Sequence, residues 1–145
     1  MANLIRQTIL QEGTKYATIH WYFESDGNEG ELKDKVILDL QNDFKDPLPY
    51  QFDREGLKKP PKITIRQAWF STAWFDMILG FESVTNDRYV TLARDTDFDL
   101  EFKQFGGIFD NTPYEAAPTG NLTLTTRDFA PLGSSGFLVL EIKKD

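Results

Sequence analysis

The chain has 145 residues, 16 Lys/Arg against 23 Asp/Glu (net charge −7), and no cysteine. That length suits a single domain, residues 1–145, with a sizeable core. The missing cysteines exclude a disulfide framework, a thiolate metal site and a cysteine nucleophile. Acid excess weighs against wrapping nucleic acid, which needs Lys and Arg to displace counterions.

No apolar run reaches the ~18 residues a membrane helix needs, so no membrane partner is expected. The opening MANLIRQTILQEG lacks a basic stretch followed by a continuous apolar one, and no secretory signal is expected there. Twelve Phe, five Tyr and three Trp provide material for a packed interior and argue against disorder.

In chain order, period-2 alternation recurs. Residues 14–23, TKYATIHWYF, set Ala17, Ile19, Trp21 and Phe23 on one face and Tyr16, Thr18, His20 and Tyr22 on the other. An acidic turn, SDGNEG, occupies 25–30. KVILDL alternates Val36, Leu38 and Leu40 against Ile37 and Asp39. Residues 41–62 break the rhythm and hold four of the seven prolines. Irregular excursions of this length are commonly functional. An arm to a neighbouring subunit, anchored by Phe44, Leu48, Tyr50 and Phe52, is the expectation to set beside a plain surface connection.

KITIRQAWF lines up Ile63, Ile65 and Trp69. In Ala68–Glu82 a helical stripe of Phe70, Trp74, Met77, Ile78 and Phe81 competes with a strand of Phe75, Met77, Leu79 and Phe81. The β-rich surroundings favour two strands with a turn near Ser71–Ala73. RYVTLA at 88–93 and NLTLTT at 121–126 read as short strands, and GFLVLEIKK ends the sequence with Leu138, Leu140 and Ile142 facing one way. Turns are expected at TND 85–87, GG 106–107 and GSSG 133–136, the last as a hairpin.

Asp95, Asp97, Asp99 and Glu101 alternate along 94–107. A calcium loop counted from Asp95 needs Gly at its sixth position and Glu at its twelfth, where Leu100 and Gly106 stand. Read as a strand, Phe98, Leu100 and Phe102 share a face. Exposed like charges about 7 Å apart repel by only about 0.6 kcal/mol in water. Each buried Phe or Leu contributes about 1.5–3 kcal/mol. A wet strand face is therefore preferred to an interfacial cation site or paired catalytic carboxylates.

His20 is the only histidine and lies mid-strand, which excludes a multi-histidine metal site within one chain. No G-x-S-x-G elbow, phosphate loop or dinucleotide fingerprint is present. No enzyme, cofactor or metal is expected. Trp21, Trp69 and Trp74 invite a second reading, a sugar-stacking platform built from Trp69, Trp74 and Tyr50 on a carbohydrate-binding module.

Two stretches, RQTILQEGTKYATIHWYFESDGNEGELKDKVILDL (6–40) and FDLEFKQFGGIFDN with TGNLTLTTRDFAPLGSSGFLVLEIKK (98–111, 119–144), resemble small virion structural proteins of tailed bacteriophages. Phe-Gly-Gly and Leu-Thr-Leu-Thr-Thr are the most telling pieces, and QAWFST with FDMILGFES is similar to that family's intervening strands. The acidic 25–31 turn and the Pro-rich 41–61 segment depart from its pattern. The resemblance implies a non-enzymatic head decoration (cement) protein, made in the bacterial cytoplasm and seated on the capsid surface. Its partners would be the major capsid protein and further copies of itself, as dimers or trimers.

The expected fold is therefore an all-β antiparallel sandwich, jelly-roll-like or Ig-like, with one long Pro-rich loop. Asn3, Leu4, Ile5, Phe44, Leu48, Tyr50 and Phe52 are the candidate partner-binding residues. A neck or tail component is the other structural alternative.

Overall fold

A computed structural model describes residues 3–28, 30–45, 51–52, 58–59, 62–73, 75–82, 89–92, 98–101, 107–109, 119–129 and 133–144. For 51–52, 58–59, 89–92, 98–101 and 109 it describes the backbone alone. The described secondary structure is all strand, and two antiparallel sheets pack as a β-sandwich-like fold.

Sheet A runs β1 (Leu4–Glu12), β2 (Tyr16–Glu24), β12 (Ser135–Lys144), β6 (Ile63–Thr72) and β10 (Ile108–Phe109), with β9 (Phe98–Glu101) also paired to β6. Sheet B runs β3 (Lys35–Leu38), β11 (Leu122–Arg127), β7 (Asp76–Phe81) and β8 (Tyr89–Leu92). Within the Pro-rich excursion, β4 (Gln51–Phe52) and β5 (Lys58–Lys59) form a small ladder of their own. The expected turn near Ser71–Ala73 does separate two strands, and those strands belong to different sheets.

Alternation in the sequence becomes the core wherever a strand is regular. Ala17, Ile19, Trp21 and Phe23 are buried, as are Leu138, Leu140 and Ile142 beside them on β12. Phe75, Met77, Leu79 and Phe81 supply the facing layer from sheet B, with Leu122 and Leu124. In β9, Phe98 and Leu100 stand opposite the core residues Phe70 and Ala68. Asp95, Asp97 and Phe102 lie outside the described residues.

Three bulges break the alternation, each an extra residue on one strand that reverses the faces beyond it. In β6 the ladder to β12 passes from Gln67 to Ile65 and skips Arg66. Ile63 and Ile65 point inward before the bulge, and Ala68 and Phe70 after it. Trp69, expected in line with Ile63 and Ile65, is thereby turned out of the core.

In β3 the skipped residue is Ile37. Ile37 and Leu38 are consequently both buried and Val36 only half-buried, where strict alternation put Val36 inside. In β1 the skipped residue is Leu10, near the strand's end and 59% exposed.

The Ile37 bulge frees a carbonyl at the centre of the sandwich. Trp21 Nε1, reaching across from sheet A, donates to Ile37 O at 3.0 Å, and Gln7 Nε2 donates to the same oxygen at 2.8 Å. Sheet B is also tied to the segment before β3. Thr126 Oγ1 accepts from Leu32 N at 2.9 Å, and Thr125 Oγ1 accepts from Asp34 N at 3.0 Å and donates to Asp34 Oδ1 at 3.2 Å. These bonds offset the left-handed backbone of Asp34 (φ 46°), a conformation uncommon outside Gly and Asn/Asp.

GSSG at 133–136 is not a hairpin. It leads into β12 of sheet A, whereas β11 belongs to sheet B, so the connection crosses between layers. Ser25 N donates to Ser134 O at 2.8 Å, which docks this crossing onto the acidic turn. Phe129 packs on Phe75 with ring centroids 4.7 Å apart, and its backbone N–H donates to the Glu31 carboxylate.

The second glycine of Phe-Gly-Gly is required twice over. Gly107 has φ 98°, and a Cβ there would lie 2.5 Å from Thr64 Cγ2 and 2.9 Å from Ile65 O. Backbone cannot yield as a flexible side chain can, so Gly107→Ala should lower stability by about 1–3 kcal/mol in urea unfolding. Trp21→Phe keeps an aromatic ring but removes one of the two donors to Ile37 O. Its expected cost is about 1–3 kcal/mol by the same measurement.

Candidate functional site

Strands β2, β12 and β6 bury one face and present the other outward. Cross-strand register sets Tyr16, Thr18, His20 and Tyr22 opposite Lys143, Glu141, Val139 and Phe137. Val139 and Phe137 lie in turn opposite Trp69 and Ser71. The result is an apolar and aromatic band of Tyr22, Phe137, His20, Val139 and Trp69 on the outside of sheet A. The His20 and Phe137 rings stand 6.1 Å apart, centroid to centroid. Phe137 is 37% exposed and Tyr16 39%, while His20, Tyr22, Trp69 and Val139 are half-buried.

Toward the β1–β2 turn the band passes into an open cleft of about 500 Å³, lined by Lys15, Tyr16, Thr18, Arg66 and Glu141 among others. The bulged Arg66 lies over the Tyr16 ring, its Cζ 4.7 Å from the centroid, and its Nη1 pairs with Glu141 Oε1 at 3.2 Å. The Arg66–Glu141 pair is partly exposed and contributes about 0–1 kcal/mol to stability. Its consequence is directional, since it holds the guanidinium over an aromatic ring.

Beneath the turn lies a buried ionic knot. Lys144 Nζ donates to Glu12 Oε2 at 3.2 Å and to Gly13 O at 2.9 Å, and sits 4.4 Å from the centre of the Phe44 ring. Lys45 N donates to Glu12 Oε1 at 3.0 Å. Phe44 is buried in the core, so its role as an anchor for a neighbouring subunit is corrected here. Its ring is consumed by Lys144 and the interior.

The turn that delivers Phe44 is built by Asp39, whose carboxylate accepts from Asn42 Nδ2 at 2.7 Å and Gln41 N at 2.9 Å. Asp43 closes it, its Oδ2 accepting from Asp39 N at 2.7 Å and Gln7 Nε2 at 3.3 Å.

The other candidate residues divide. Asn3 acts as a clamp within the chain, since its Nδ2 donates to Gly30 O at 2.9 Å and its Oδ1 accepts from Asp26 N at 3.0 Å. Leu4 is 39% exposed on the outer face, and Ile5 packs half-buried against the core. Leu48 and Tyr50 lie outside the described residues, and for Phe52 only the backbone is described. Of the tryptophans proposed for a sugar platform, Trp21 is fully buried, Trp69 lies on the outer face and Trp74 is outside the described residues.

The outer band is not legible as a unit in the sequence, where Tyr16, Thr18, His20 and Tyr22 are only the second face of one alternating strand and the residues that complete it come from strands over 40 positions away. Among the described residues no three His, Asp or Glu side chains are placed to hold a metal ion. What the band offers chemically is burial and stacking on a rigid support. Comparison with known proteins returned no matching family, curated protein or solved structure.

The amide of Asn42, then the N–H of Gln41, holds the Asp39 carboxyl below the ordinary aspartate range. A depressed folded-state value contributes stability that is present above the unfolded value and lost as pH falls through the folded one. Stability should therefore fall on acidification below about pH 4. Asp39→Asn should make that acid limb shallower, read from urea midpoints across the pH series.

Proposed function

We propose that this chain is a bacteriophage virion structural protein, a head decoration or cement protein that binds the major capsid protein. The observation that carries this reading is the outer band of sheet A. Tyr22, His20, Phe137, Val139 and Trp69 form a partly exposed apolar surface on strands whose opposite face is the core. Such a surface suits adhesion to a large partner: aromatic side chains bring much contact area at low entropic cost, and a rigid sheet loses little freedom on docking. The acidic balance of the chain fits an outer position, away from packaged DNA. The resemblance of 6–40, 98–111 and 119–144 to small phage virion proteins points the same way.

Binding would proceed by desolvation of the band, with Arg66, Lys15 and Glu141 at its polar rim setting orientation. Quantitative mass spectrometry of purified virions should find the protein in hundreds of copies per particle. A dozen copies or fewer would assign it to a neck or tail ring instead, and absence would remove the proposal. Replacing Trp69 and Phe137 together by Asp should weaken rebinding to stripped particles at least ten-fold while leaving the near-ultraviolet signature of Trp21 intact. Saturable quenching of Trp69 by soluble glycans, with no binding to capsids, would favour the carbohydrate module.

A further inference from the structure

The first strand contains a near-palindrome, LIRQTIL, residues 4–10, centred on Gln7. Its burial is palindromic as well. Leu4, Arg6, Thr8 and Leu10 are exposed, and Ile5, Gln7 and Ile9 are half-buried. Strand β1 is the terminal strand of sheet A among the described residues, nine residues long, with no proline or lysine. Edges of this kind are ordinarily blunted by charge, proline or brevity, because their backbone groups offer a template to another strand. Here the bulge at Leu10 falls at the far end and leaves 4–9 regularly paired to β2.

We infer that β1 is a homodimerisation edge, pairing antiparallel with β1 of a second copy across a two-fold axis at Gln7. In that register Leu4 meets Leu10 of the other copy, Ile5 meets Ile9, Arg6 meets Thr8, and Gln7 meets its own equivalent. Directly opposed residues in an antiparallel pair share a face. The two exposed leucines, 39% and 59% accessible, would therefore cover each other on the outside, while the half-buried isoleucines would extend the core beneath. Shifting the axis to Arg6 sets two arginines face to face. Shifting it to Thr8 sets Leu4 against Glu12 and Ile9 against Gln7. Of these registers, only the one at Gln7 matches apolar to apolar on both faces.

Charge agrees with the choice of occupant. The whole chain is strongly acidic, yet residues 4–11 carry one arginine and no acid, so this edge lets two copies approach without opposing carboxylates. Isologous pairing of this type closes on itself and stops at two copies. It would also place the outer faces of two A sheets side by side, in one continuous surface. The inference does not depend on what that surface binds.

Sedimentation of the full chain over a concentration series tests it. A reversible rise from one copy of 16.7 kDa to two is expected. Leu4→Lys with Leu10→Lys should weaken the association at least ten-fold, both sites being exposed and thus tolerant of Lys. Because the chain has no cysteine, a second measurement is direct. Leu4→Cys combined with Leu10→Cys should give covalent dimers on mild oxidation. Leu10→Cys alone should not, as the two Leu10 positions would lie about 20 Å apart along the strands. A monomer at every concentration up to about 1 mM, a trimer, a dimer indifferent to the lysines, or equal cross-linking by the two cysteine variants would each overturn the inference.

Discussion

The hydrogen bond from the Trp21 indole to the Ile37 carbonyl is the constraint on which this sandwich is built. Apolar packing between two sheets is strong but non-directional, and by itself it permits sliding and rotation. A donor with one fixed N–H, on a ring locked in the core, can meet a single carbonyl in only one relative placement of the layers. That carbonyl is available because Ile37 is bulged out of the ladder with β11. Gln7 joins the same oxygen and passes the constraint to Asp43. Asp43 and Asp39 then set the turn that brings Phe44 under the Lys144 ammonium. A chain of polar contacts thus runs from the centre of the core to the last residues of β12.

Bulges also made the outer surface. Without the extra residue at Arg66, Trp69 would face inward and Phe70 outward, and the band on sheet A would lose its largest ring. The same insertion lays the Arg66 guanidinium on Tyr16. One irregularity therefore supplies both an aromatic centre and a cationic margin, on strands held rigid by the core behind them. The mechanical support of such a face comes from burial of Ala17, Ile19, Trp21 and Phe23 on the opposite side of the same strand.

Much of the architecture was readable in the residues. The alternation of β2, β7 and β12 identified their inward faces, and the glycine pair at 106–107 read as a turn, where Gly107 takes a positive φ. Of the acids of 94–107, read as one side of a strand rather than as a cation loop, Asp99 and Glu101 fall on β9 opposite Trp69 and Gln67 of β6. Phe44 was legible as an anchor but not as an internal one, because the cation and turn that hold it come from residues 12, 39–43 and 144.

The sequence by itself determined that this is an all-β chain, where its strongly alternating strands lie, and which side chains are apolar enough to form two facing layers. Those properties follow from the two-residue period of an extended backbone, which neighbouring residues express locally. Tertiary structure alone decided that Trp69 faces outward, that 133–136 crosses between sheets, and that Trp21 donates to Ile37. Each of these depends on which strand lies opposite and where one residue fails to pair. A ladder with a partner dozens of positions away sets that, and the alternation within a single strand carries no trace of it.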